Sequence, residues 1–399
     1  MKSYDVIIVG GGAAGLACGV RLAENSKLKI LILEAGERAG KKLAATGNGQ
    51  GNVSNSDISI EHYRSGNLST VKKIICADAN SDLWSDGLDI FEPNLFVTDE
   101  RGRVYPSGRQ ASALVDCLLR KISALGIELK LSAKVTDVRS TPDGSFEITI
   151  ESGEKYLAKH VVLATGGKAQ KQFKTDGSAY KLAEKLGHRI TPLYPSLVQL
   201  KTDTTYTKTL KGIRTECKVC AVVDGQAVRT EIGDVIFTDY GVSGNAIFYI
   251  SPAFSEKCGQ IIIDLLPEFT NEKITAILNK RLAVGYPHAE ILSGLVHNQI
   301  GRAVIKRAAT ENIDKIVQTL KNFTLEVTGT LGFDYAQVTH GGVDMRDISE
   351  NLESKLVKNL YFAGEILDVD GDCGGYNLHW AFTSAKTVAE AILKGNEKA

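Results

Sequence analysis

Apolar positions cluster first at Val6 to Val9, a solid run that breaks into glycine and then gives way to helical spacing through Leu16, Val20 and Leu22. A short continuous apolar run closed by glycine predicts a buried strand. A second such run, LKILILE, ends at Glu34. Residues 111–126, ASALVDCLLRKISALG, carry helical periodicity. They lead into three segments with strand patterns, IELKLSAKVTDVRS, SFEITIE and YLAKHVVLATGG. After Leu200 the texture changes. Residues 191–255 hold short strand-like runs such as ECKVCAVV and DVIFTDY, and 270–322 return to helical spacing. Leu360 to Ala363 reads as another buried strand. Asn377 to Leu393 reads as a closing helix, apolar at Leu378, Ala381, Phe382, Ala385, Val388, Ala389 and Ile392. The alternation predicts an α/β protein, with no internal repeat and no low-complexity tract.

The first strand and helix are joined by Gly10, Gly12 and Gly15, in G-x-G-x-x-G spacing around Ala14. Gly10 permits a tight turn, Gly12 lets backbone approach a pyrophosphate, and Gly15 lets the helix pack on the strand. The helix N-terminus offers free N–H groups to phosphate. Glu34 can accept hydrogen bonds from ribose hydroxyls. An acid at this position favours FAD or NAD over NADP.

The C-terminal strand closes on Gly364 and Glu365, and a glycine loop through Gly375 precedes the last helix. One reading is a further αβ unit packed on the sheet. The other is that Glu365 holds a ribityl hydroxyl while the helix start at Asn377 and Leu378 points its positive end at a flavin ring.

The 399 residues are 43% hydrophobic and 24% charged, which is ordinary for an enzyme and long enough for two or three domains. Formal net charge is zero, so no global attraction to nucleic acid or anionic membrane follows. The seven cysteines are scattered without framework spacing, which argues against a disulfide scaffold and for a cytoplasmic setting. Val6 to Val9 is too short for a signal peptide, and no stretch approaches the roughly 20 apolar residues that cross a bilayer.

VIIVGGGAAGLA, GKKLAATGNGQGNVSN, RGRVYPSGRQAS, VVLATGG, DVIFTDYGVSG, LGFDYAQVTHGGV and LYFAGEILDVDGDCGGYNLHWA together resemble the bacterial BaiN-like flavoproteins. These are also called aminoacetone-oxidase-like or NAD(P)/FAD-dependent oxidoreductases. The resemblance runs through the whole chain in order. It implies a Rossmann-like, glutathione-reductase-type FAD-binding domain made of 1–190 and 325–399. An inserted β-rich and helical substrate domain would occupy 191–324. It brings residues 46–55 beside the diphosphate and the flavin, where Gly49 and Asn52 meet the ring and Lys41 and Lys42 offset phosphate charge. A flexible Gly/Asn linker is the plainer reading of that segment. The resemblance also assigns adenine contact to the backbone at Val135, and the cofactor side of the VVLATGG strand to Thr165 and Gly166. Members often carry Arg-Cys where this chain has Gln50-Gly51, so no thiol of this loop can act here.

Other candidates are fewer. Cys217 and Cys220 have CxxC spacing but no partner motif, so no metal site is expected. His340 abuts the cofactor by resemblance and is a candidate catalytic group; His379 reads as packing. Cys373 is a candidate proton donor, against the plainer reading of a small residue filling a tight loop. No second dinucleotide fingerprint occurs, so NAD(P)H is expected as a transient donor.

The family's attributed activities, reduction of unsaturated bile acid intermediates and of uridine in ribosomal RNA, both deliver hydride to an alkene beside a carbonyl. The basic run Lys273, Lys280, Arg281, Arg302, Lys306, Arg307, Lys315, Lys321 favours RNA, although such runs are more often solvated helix faces. The reading leans to RNA over a small-molecule substrate. An aminoketone or amine oxidase and a non-catalytic flavin-binding regulator are the alternatives. No membrane and no obligate protein partner is expected.

Overall fold

The computed structural model describes residues 1–76, 83–92 and 94–396. It divides into two compact units, Met1–Tyr194 with Val338–Ala399, and Pro195–Gln337.

The first unit is built on a seven-stranded sheet. Lys2–Val9 lies between Ile30–Leu33 and Lys155–Leu163, and all three run parallel. Glu128–Lys130 extends the sheet beyond Ile30–Leu33, and Leu360–Phe362 adds in parallel to Lys155–Leu163. Val6 to Val9 and Ile30 to Leu33 are buried throughout. That is why they read as unbroken apolar runs: a parallel sheet is covered on both faces. Phe146–Ile150 and Val135–Ser140 complete the sheet antiparallel.

The segment IELKLSAKVTDVRS is not one strand. It divides into Glu128–Lys130 and Val135–Ser140 around Ser132, whose φ is +52°. There the Ser132 and Ala133 N–H groups donate to the carbonyls of Gly36 and Glu34. The turn docks on the end of the second strand instead of continuing the ladder.

Two helices cover one region of the sheet. Ala13–Glu24 and the long closing helix Tyr376–Asn396 pack on each other, so the two ends of the chain share one core.

The second unit has its own core. Its strands close a six-stranded barrel in the order Leu200–Thr202, Gly241–Ser243, Gln226–Phe237, Arg214–Val223, Gly259–Asp264, Phe323–Thr330. The first and last of these pair to complete it. The expected boundary at 324 therefore falls inside a barrel strand, and the unit runs on to Gln337. Asn271–Ala283, Asn298–Ala308 and Ile313–Lys321 supply the helical part.

Candidate functional site

The glycine turn is fixed by close approach. Gly10 sits at φ +110°, and a Cβ there would lie 2.4 Å from the Ala164 carbonyl oxygen. A Cβ on Gly15 would lie 1.9 Å from the Gly10 oxygen. Gly12 is different: nothing lies within 4 Å of its Cβ position. It precedes a helix whose first turn has no side-chain cap and no acidic residue. The helix start is thus uncapped beside open space at Gly12, as an anion site requires.

Ala14 faces the C-terminal strand end. A Cβ on Gly364, which has φ +75°, would meet the Ala14 methyl at 2.9 Å. Thr165 and Gly166 follow the Lys155–Leu163 strand past Gly10, with Gly166 at φ +73°. The Thr165 hydroxyl oxygen is buried and has no hydrogen-bond partner. Glu34 accepts the Gly11 N–H at 2.7 Å on Oε2 and the Gly36 N–H at 2.6 Å on Oε1. Each oxygen keeps a second lone pair. Val135 starts the strand just after the turn that docks on Glu34 and Gly36.

The decapeptide at 46–55 is not a loose linker. Gly47, Asn48, Gly49 and Gly51 all take positive φ, at 56°, 54°, 85° and 78°, which folds the chain into successive tight turns. The Gly49 Cβ position is open. Asn52 Nδ2 donates to the carbonyls of Ser54 and Val104 at 3.0 and 3.1 Å, so its amide anchors the segment to the strand Arg103–Pro106. Just upstream, Lys41 is exposed, while Lys42 Nζ reaches Glu365 Oε2 at 2.7 Å. Glu365 Oε1 accepts the Thr339 N–H at 2.9 Å. A Cβ on Gly375 would lie 2.1 Å from the Ser54 oxygen, which holds the C-terminal glycine loop against the decapeptide. Asn377 spends its carboxamide inside that loop, on Gly371 and Asp372. Leu378 is half-buried beside it.

An uncapped helix start with open space at Gly12, an acid after the second strand, an orphaned hydroxyl at Thr165 and left-handed glycines at 47–51 fit a dinucleotide flavin. The sequence model of the HI0933-like protein Rossmann domain matches residues 4–391. The chain belongs to the HI0933-like family. A 3-dehydro-bile acid delta(4,6)-reductase from Clostridium scindens is 30% identical over 412 residues, covering 97% of this chain and 98% of that one. A ribosomal RNA dihydrouridine synthase from Haemophilus influenzae is 29% identical over 414 residues, covering 99% and 100%. The crystal structure of a 3-ketosteroid-delta4-(5alpha)-dehydrogenase from Rhodococcus jostii shares the fold, with TM-score 0.50, 16% identity and coverage of 98% and 97%. The resemblance drawn from the motifs therefore stands, and the chain is an enzyme of a flavoprotein oxidoreductase family with a Rossmann-like FAD-binding fold.

In this HI0933-like chain the loop from Gly364 to Gly375 also carries acids that the sequence reading passed over. His340 Nδ1 lies 2.6 Å from Asp370 Oδ1, and the Asp370 side chain has 0% exposure. The hydrogen bond to that carboxylate raises the His340 pKa above the usual histidine value. Asp370 Oδ2 accepts from Arg64 Nε at 3.0 Å, and Arg64 Nη1 donates to Asp372 at 2.8 Å. Asp372 in turn meets His62, whose ring stacks on Tyr376. The D-x-D-x-D spacing of Asp368, Asp370 and Asp372 was the available signal.

Cys373 is half-buried. Withdrawal from water pushes its thiol up to about 11, so it stays protonated at neutral pH and is a poor acid. His379 is fully buried, with Nδ1 at 3.1 Å from the Ser54 hydroxyl, and burial lowers its pKa to about 4. Cys217 and Cys220 lie three apart on one strand, so their side chains leave opposite faces and form no pair. Among the described residues no group of three metal-ligating side chains occurs, and no helix is long and apolar enough to cross a membrane.

Part of the basic run is spent within its own unit. Arg281 donates to the carbonyls of Ile291 and Ser293, and Lys321 to those of Leu266 and Phe269. Arg307 covers the rings of Tyr206 and Phe323. Lys280, Arg302, Lys306 and Lys315 are exposed.

Proposed function

We propose that this enzyme reduces a carbon–carbon double bond conjugated to a carbonyl, with NAD(P)H as transient donor and His340 as the acid. Bound FAD, once reduced by NAD(P)H, would supply the hydride. The residues that would hold it are Gly10, Gly12, Ala14 and Gly15 at the diphosphate, Glu34 and the Val135 backbone at the adenosine, and Thr165, Gly166, Gly364 and Glu365 between. Gly49, Asn52, Gly375, Asn377 and Leu378 would frame the ring, and Lys41 and Lys42 would balance phosphate charge.

The observation that carries the chemistry is His340 against Asp370. A buried carboxylate on Nδ1 fixes the tautomer and favours the imidazolium, which leaves Nε2 to deliver a proton. Hydride addition to an enone leaves an enolate, whose α-carbon needs that proton. His340 is the better donor than Cys373, because the thiol is held too high to give its proton readily.

Relatives named for a bile acid and for ribosomal RNA both match the chain end to end, and both acceptors contain the same conjugated fragment. Exposed Lys280, Arg302, Lys306 and Lys315 make uridine in ribosomal RNA the first acceptor to test. The test is anaerobic reduction of the FAD-loaded enzyme with NADPH or NADH, then mixing with ribosomal RNA, a 3-oxo-Δ4 steroid or air. Reoxidation by either conjugated acceptor, with a saturated product, supports the proposal. Rapid reoxidation by oxygen alone, with peroxide formed, overturns it in favour of an oxidase.

A further inference from the structure

We infer that Arg64 is a positioning residue for the His340 imidazole, acting by clamping the Asp370 carboxylate from the side away from the ring. The inference rests on the role given to His340 above.

The two residues meet through a very short ladder. Tyr63–Arg64 pairs antiparallel with Asp370–Gly371, and Arg64 stands directly opposite Asp370. Directly opposed side chains in such a pair are within contact distance. Arg64 Nε donates to Asp370 Oδ2 at 3.0 Å, while Asp370 Oδ1 faces His340 Nδ1 at 2.6 Å. The two carboxylate oxygens are thus divided, one to each cation. Solvent does not compete for either oxygen, because the carboxylate is fully buried.

Arg64 is itself held. Nη1 donates to Asp372 Oδ1 at 2.8 Å, and the other oxygen of Asp372 meets His62 Nδ1 at 3.3 Å. His62 Nε2 closes the row on exposed Asp57 at 3.1 Å. A guanidinium can span two carboxylates with its fixed fork; an ammonium is a single point charge and cannot hold both geometries. Among the described residues Arg64 Nη2 is buried with no hydrogen-bond partner, so the hydrogen bonds of the fork go to these two acids.

The charges facing His340 are Asp370, the buried Asp368 behind it, and Arg64, with the Tyr194 ring stacked at 6.3 Å. Arg64 opposes the imidazolium electrostatically while orienting its partner. It therefore does two separable things. It fixes where Nε2 points, and it keeps the two acids from binding the His340 proton too tightly.

The test uses the FAD-loaded enzyme with the flavin oxidised, and follows His340 by histidine-selective NMR against pH, with His340→Asn to assign the signal. In Arg64→Gln the His340 titration moves to higher pH than in wild type, because the carboxylates lose a competing cation. In Arg64→Lys the charge remains but the fork is lost. The titration then stays near wild type while kcat falls, by up to about 100-fold, with KM unchanged. An unmoved His340 titration in folded, flavin-bound Arg64→Gln overturns the inference. So does a wild-type kcat in Arg64→Lys, which carries the test alone if Arg64→Gln does not fold. A titration that moves in Arg64→Gln while the pH dependence of kcat does not would leave the clamp standing and remove His340 as the proton donor.

Discussion

Lys42 Nζ and Glu365 Oε2 meet at 2.7 Å across 323 positions of sequence, each side chain about one-fifth exposed. The pair joins the segment after the second strand to the loop before the last helix, so one ion pair reports on both halves of the proposed cradle. Replacing Lys42 with Met leaves Glu365 with an unbalanced charge near the proposed diphosphate. FAD affinity should fall roughly 10- to 100-fold, the scale of one charged hydrogen bond. Fluorescence titration of apo-protein with FAD checks this, and an unchanged affinity would remove Lys42 from the site.

The glycines of the first turn should separate by experiment. Gly15→Ala places a methyl 1.9 Å from the Gly10 oxygen, which the backbone cannot accommodate. Thermal unfolding should show a loss of several kcal/mol, on the order of a severe core overpacking. Gly12→Ala meets nothing within 4 Å. It should fold with wild-type stability yet bind FAD poorly, because the methyl occupies the approach of the phosphates. Equal stability loss in both variants would argue that Gly12 serves packing alone.

The first glycine turn and its acid were legible in sequence because their parts are local. Gly10, Gly12, Gly15 and Glu34 lie within one βαβ stretch, and each spacing has one mechanical meaning. The acid–histidine row was not legible. Arg64 and Asp370 are 306 positions apart and meet through a ladder of two residues on each side, too short for any periodicity to announce. Asn377 shows a different limit. Its place at the helix start was readable, but an asparagine there can serve a ligand or its own loop, and the structure directs its amide to Gly371. The basic run kept exposed residues such as Lys280 and Lys315 but lost part of its meaning, since backbone carbonyls 10 to 55 positions away claim Arg281 and Lys321.

The raised pKa of His340 gives activity a defined pH dependence. The acid form is the donor, so kcat should be full below the folded-state pKa and fall as pH rises through it. Asp370→Asn removes the group that raises it and should move that basic limb to lower pH. Rate profiles at saturating acceptor check both. The same linkage applies to stability: the His340–Asp370 contribution is present below the unfolded histidine pKa and lost as pH rises through the folded one.

His379 should make the fold acid-sensitive. Its pKa in the folded chain is about 4, against about 6.5 for a free histidine. The unfolded chain therefore binds a proton first, and stability present above about 6.5 is lost as pH falls toward 4. The loss from this one group is about 3 kcal/mol when complete. Denaturant titrations at pH 7 and pH 5 compared with His379→Gln should show a smaller pH difference in the variant. An equal difference would place the acid sensitivity elsewhere.

Both ends of the chain should together build one flavin cradle. Titrating the purified, folded protein with FAD, by visible absorbance and by calorimetry, tests it most directly. One FAD bound per chain, lost in Gly12→Ala with the fold intact, is the predicted result. A folded chain that carries no flavin and takes up none would contradict it.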